Sequence, residues 1–208
     1  MNMNFIKSML YVITVVVILA CGNPTQSKPK SAQTNTKISA APAAETKQIS
    51  TEQVFDAALQ GKEEVIKNAL DNGFDINTRG EAARTVLMMA SFNGHTEIVK
   101  MLLEKGAEIN AKDMTDRTAL MYASTGPFAP TVKVLLEAGA QVNLKDNHEN
   151  WTAFMFAAGE GQIEILKLLL DAGADVNALD VDGESAYDFA MTNKHPEAAA
   201  FIKPLMKK

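Results

Sequence analysis

Three histidines, one cysteine and a short acidic run are the residue types here best suited to acid–base or metal chemistry. His95, His148 and His195 lie tens of residues apart, and none has a second histidine or a cysteine at ligand spacing. No HExxH pair, GxSxG elbow or phosphate-cradling glycine loop occurs. Asp175 with Asn177, and Asp180 with Asp182 and Glu184, invite a calcium reading. They lack the twelve-residue loop closed by a bidentate Glu, and aspartates so placed in turns serve local backbone hydrogen bonds. Cys21 is the single cysteine, which excludes an intrachain disulfide and a thiolate zinc site. No catalytic residue, metal ligand or cofactor site is assembled from these parts, so the chain is expected not to be an enzyme and to need no cofactor.

The composition fits a helical globular protein: 47% hydrophobic, 22% charged and only 6% aromatic among 208 residues, with abundant Ala, Leu and Met. The formal charge of −5 is unevenly spread. Residues 51–208 carry 15 Lys and Arg against 24 Asp and Glu, whereas residues 21–50 carry four Lys and one Glu. An acidic folded part argues against nucleic acid as a partner.

Lys7 is the only charge before an apolar run at residues 9–20. Twelve residues are too few to span a bilayer but suit the core of a secretory signal. The run ends in Ile18, Leu19, Ala20 and Cys21, which resembles the lipobox of bacterial lipoproteins. That resemblance implies cleavage of residues 1–20, acylation of Cys21 and, with Gly22 rather than Asp next, sorting to the outer membrane with the domain facing the periplasm. Residues 21–48, rich in Pro, Ser, Thr, Ala and Lys, are expected to be a disordered tether with a root-mean-square span of roughly 30 Å.

From residue 49 the sequence repeats. Gly73, Gly106, Gly139 and Gly173 recur at 33 or 34 residues, as do Asn77, Asn110, Asn143 and Asn177, and Thr85, Thr118, Thr152 and Ser185. Each unit reads as a hydroxyl N-cap, a short apolar helix, a turn, a second helix and a closing glycine, as in residues 152–180. Such helices are too short to stand alone, so neighbouring units must bury them. The period and motifs such as TALMYASTGPFAPTVKVLLEAGAQVN resemble the ankyrin-repeat family over residues 49–208.

The resemblance implies an all-α solenoid of about five helix-turn-helix repeats joined by short β-hairpin-like fingers, with caps at 49–79 and 184–208. Met88, Met121 and Met155 replace the family's frequent His, which predicts a lost local hydrogen bond offset by apolar packing. His95 and His195 fall in the interhelix turn and are expected to be structural. In the middle repeat Pro127 and Pro130 predict a second helix starting near Pro130. One extra residue between Asn143 and Thr152 is expected to be absorbed in a finger.

By register, the family's concave groove and finger tips give Arg79, Arg84, Phe92, Lys112, Met114, Arg117, Lys145, His148, Trp151, Leu179 and Val181 as the partner-binding set. All three arginines of the chain are among them. The expectation is a groove with a basic N-terminal half and an apolar, more acidic C-terminal half, with Trp151 as an exposed aromatic anchor. Trp151→Ala is then expected to weaken binding and leave the fold intact. The functional expectation is a monomeric, lipid-anchored module of the bacterial envelope that binds another protein. The alternative is an inhibitor or immunity protein that blocks a periplasmic enzyme or toxin.

Overall fold

Thr85, Thr118, Thr152 and Ser185 each end an extended stretch and open a helix. Their hydroxyls accept the N–H groups of Met88, Met121, Met155 and Asp188 at 3.3–3.5 Å, satisfying donors that the first helical turn leaves without partners. The computed structural model describes residues 49–206, so the leader at 1–20, Cys21 and the tether at 21–48 lie outside the described residues.

Among the described residues ten α-helices follow one another in pairs: α1 (Thr51–Gln60) and α2 (Glu63–Asp71), α3 (Val86–Phe92) and α4 (Thr96–Glu104), α5 (Ala119–Ala123) and α6 (Ala129–Glu137), α7 (Ala153–Gly159) and α8 (Ile163–Asp171), α9 (Ala186–Thr192) and α10 (Pro196–Ile202). The odd-numbered helices stack into an inner row, and the even-numbered ones into an outer row behind it. The core between the rows is built from Leu87, Met88, Leu102, Leu120, Met121, Leu135, Phe154, Met155, Leu166 and Leu169, all buried. Helix α6 starts at Ala129 with Pro130 in its first turn, where the missing N–H is harmless.

The methionines correct one expectation. Besides burying its side chain, Met88 places Sδ 3.3 Å from the Thr85 N–H, so a thioether acceptor replaces the expected lost hydrogen bond there. His95 and His195 pack in the interhelix turns where they were expected. His95 Nε2 lies 2.9 Å from the Leu59 carbonyl of the preceding repeat, and its ring covers Gly61 where a Cβ would collide. The His195 ring covers Gly161 in the same way. Helix α8 ends at a left-handed Gly173 (φ +87°), whose N–H and that of Ala174 cap the Leu170 and Leu169 carbonyls.

Neighbouring repeats are tied by a second periodic device. The Oδ1 atoms of Asn77, Asn110 and Asn143 accept the backbone N–H of Glu108, Gln141 and Asp175, each one repeat further on, at 2.8–2.9 Å. Among the described residues the fingers contain no strand, only an isolated antiparallel bridge between Leu179 and Ser185.

Candidate protein-binding face

Four fingers join the five helix pairs, and each closes with one backbone bond: Gly80 to Arg84, Asp113 to Arg117, Asp146 to Trp151 and Asp180 to Glu184, N–H to carbonyl, at 2.9–3.1 Å. The residue before each finger's last one is left-handed: Ala83, Asp116, Asn150 and Gly183 have φ between +57° and +79°. The third finger holds the extra residue between Asp146 and Trp151 and still closes in this register.

Asp113 and Asp146 are parts that sequence reasoning missed, whereas Asp180 holds local backbone donors as expected. Asp113 Oδ1 accepts the N–H groups of Thr115 and Arg117, Asp146 Oδ1 those of Glu149 and Trp151, and Asp180 Oδ1 those of Asp182 and Glu184. Their recurrence at 33 and 34 residues was the available signal, and Gly80 breaks it in the first finger.

Each second carboxylate oxygen receives a side-chain donor, and here the structure overturns part of the expected binding set. Arg117 Nε reaches Asp146 Oδ2 of the next finger at 3.2 Å, and its guanidinium lies 5.1 Å from the centroid of the Phe156 ring. Trp151 Nε1 reaches Asp180 Oδ2 at 3.4 Å. Arg84 Nε meets the Tyr122 hydroxyl at 3.2 Å, and that hydroxyl donates to Asp113 Oδ2 at 2.7 Å. Burial, then the hydrogen bond and charge of Asp113, push the Tyr122 phenol up to about 12, with Arg84 opposing.

Trp151 is therefore not an exposed anchor. It is 8% exposed and sits edge-on to Phe156 and Phe189, with centroids 5.2 and 5.0 Å away. A large aromatic at the finger base is buried because the next inner helix offers an aromatic face to it. Arg84 and Arg117 likewise turn their Nε donors to partners inside the fold, so neither is a wholly exposed groove cation. Arg79 Nη1 donates to the Lys112 carbonyl at 2.6 Å and pairs with Glu108 at 3.6 Å. Lys112 turns to Asp116 at 2.9 Å, and Lys145 Nζ donates to the Leu179 carbonyl at 2.9 Å. Phe92 is half-buried, edge-on to Tyr122 at 6.0 Å.

Three aliphatic side chains stand out on the fingers. Met114 is 70%, Val181 55% and Leu179 48% exposed on the fingers, and His148, beside Glu149 at 3.1 Å, is exposed too. Glu160, half-buried at the end of α7, has its carboxyl raised by burial, with His195 opposing. Glu184 is raised by burial and by Asp180, Asp188 and Asp182 around it. Among the described residues no group of three or more His, Cys, Asp and Glu could hold a metal ion. Stitched fingers with exposed aliphatic tips present a surface suited to recognition.

Paired short helices stacked in two rows, with hydrogen-bonded fingers projecting from every junction, define a helical repeat protein of the solenoid class. The chain belongs to the ankyrin-repeat family: the family described as ankyrin repeats (3 copies) matches residues 54–146 and 128–205. Ankyrin repeats mark a protein–protein interaction module. No curated protein matches the chain.

Proposed function

We propose that the protein is a monomeric adaptor of the bacterial envelope, anchored to the outer membrane through acylated Cys21, which holds a partner protein against its finger tips on the periplasmic side. The observation that carries the binding half is the exposure of Met114, Leu179 and Val181 on fingers held by hydrogen bonds to the neighbouring repeats. Apolar side chains on a rigid, preorganised support lose little entropy on docking, which favours a surface for recognition over a mobile loop. The anchoring half is supported by the lipobox-like Ile18, Leu19, Ala20 and Cys21.

Photoreactive residues placed singly at Met114 and Leu179 of the full chain test the first half in intact envelopes. A discrete crosslinked protein from either site is the expected result, and none from both removes the binding reading. An alkyne fatty-acid label on wild type but not on Cys21→Ser is expected for the second half. An unlabelled wild-type chain would make it an unanchored protein.

A further inference from the structure

Backbone and finger-base donors join each finger to the next, a side-chain cation joins the first to the second and the third to the fourth, and all three kinds of contact stop at the fourth. Backbone N–H groups of Met114, Asn147 and Val181 donate to the carbonyls of Ala82, Thr115 and Glu149 in the preceding finger, at 2.9–3.1 Å. The next acceptor in that register, 33 residues on, is the Asp182 carbonyl, and no described residue donates to it. A side-chain cation reaches forward from Arg79 to the Lys112 carbonyl and from Lys145 to the Leu179 carbonyl. At the same position the fourth finger carries Leu179, half-exposed. Donors at Arg84, Arg117 and Trp151 address the following repeat, and the equivalent residue is Glu184.

The last finger has thus kept the geometry of a stacking edge and reversed its chemistry. Like the inner fingers it offers a carbonyl forward, but in place of their side-chain donors and cations it offers two aliphatic side chains and carboxylates. Asp182 and Glu184 make no ion pair with any described cation, and Asp180 and Asp188 add further negative charge beside them. An occupant must supply what the fold withholds: a backbone N–H for Asp182, apolar contact for Leu179 and Val181, and a Lys or Arg for Glu184. A second copy does not fit this description. Its first finger is preceded by its own α1 and α2, and α9 and α10 already fill the place these would need.

We infer that the fourth finger is an open docking edge for an extended, cationic and aliphatic segment of a partner protein, which adds to the finger ladder as a fifth rung. This rests on the protein-binding reading above and names the chemistry of its partner.

The test uses the full chain and a fluorescent dodecapeptide alternating Lys with Val, beside a twin in which Glu replaces every Lys. The Lys peptide should bind with an affinity that falls as salt rises, and the Glu twin should not bind. Asp182→Lys with Glu184→Gln should weaken binding about tenfold or more, as should Leu179→Ser, while N-methylation at one peptide position should abolish it. Asp182 and Leu179 side chains donate and accept no hydrogen bond within the described fold, so unchanged circular dichroism is expected for these variants. Equal binding of both peptides, indifference to the acidic substitutions, or self-association relieved by them would overturn the inference. If the peptide fails while Met114 still crosslinks a protein in envelopes, the docking edge is refuted and the binding function stands.

Discussion

Arg117 Nε lies 3.2 Å from Asp146 Oδ2 across two neighbouring fingers, and the Asp146 side chain is wholly buried. Oδ1 of the same carboxylate holds the N–H groups of Glu149 and Trp151, so one buried charge organises the third finger. Removing the guanidinium leaves that charge uncompensated. Arg117→Ala is expected to lower unfolding free energy by about 3 kcal/mol, read from the urea midpoint. Arg117→Lys should recover only part of it, since an ammonium cannot lie flat over Phe156 as well. A loss below about 1 kcal/mol would mean that Arg117 is surface charge after all.

Trp151→Ala removes an indole held between Phe156 and Phe189 and should cost about 3–5 kcal/mol, with a drop in melting temperature. Trp151→Phe keeps the edge contacts and forfeits the bond to Asp180, so it should cost about 1 kcal/mol. Native Trp fluorescence should be shielded from iodide. Free quenching would return the residue to the surface.

Tyr122 makes stability depend on alkali. Its folded pKa of about 12 stands above the ordinary value of 10.0, so the unfolded chain loses this proton first as pH rises. The stabilisation is present in full below pH 10 and is lost on the way to pH 12, up to about 2–3 kcal/mol. Urea midpoints between pH 8 and pH 12 should fall for wild type. Tyr122→Phe, already weakened at pH 8 because Asp113 loses its donor, should show a shallower fall over that range.

Ala82 and Ala83 lie at φ +54° and +57°, in a finger whose counterparts carry Asp116, Asn150 or Gly183 at the second position. A β-carbon there is strained and no side-chain group compensates. Ala83→Gly should raise stability by about 0.5–1 kcal/mol, measured as a higher melting temperature. An unchanged or lower value would show that the Ala83 methyl packs better than its backbone geometry suggests.

Periodicity made the helix pairs legible, because a hydroxyl before an apolar run and a glycine after one report local backbone needs that hold in any context. Pro130 placed the start of α6 for the same reason. The finger side chains were placed on the right segments but given the wrong neighbours. Arg84, Arg117 and Trp151 each precede a helix cap, a position that says nothing about what stands across the gap.

The amino-acid sequence by itself determined the repeat, the number of helix pairs, their caps and the absence of a recognisable catalytic motif, since each depends on residues within a few positions of one another. Only the tertiary structure decided that Arg117 and Trp151 face inward and that Met114, Leu179 and Val181 face out. Those outcomes depend on partners 29 to 39 residues away: Asp146 and Phe156 for Arg117, Asp180 and Phe189 for Trp151. Stacking one repeat on the next brings a carboxylate and an aromatic ring to the finger base together. Burying a charge or an indole is favourable only when both are there.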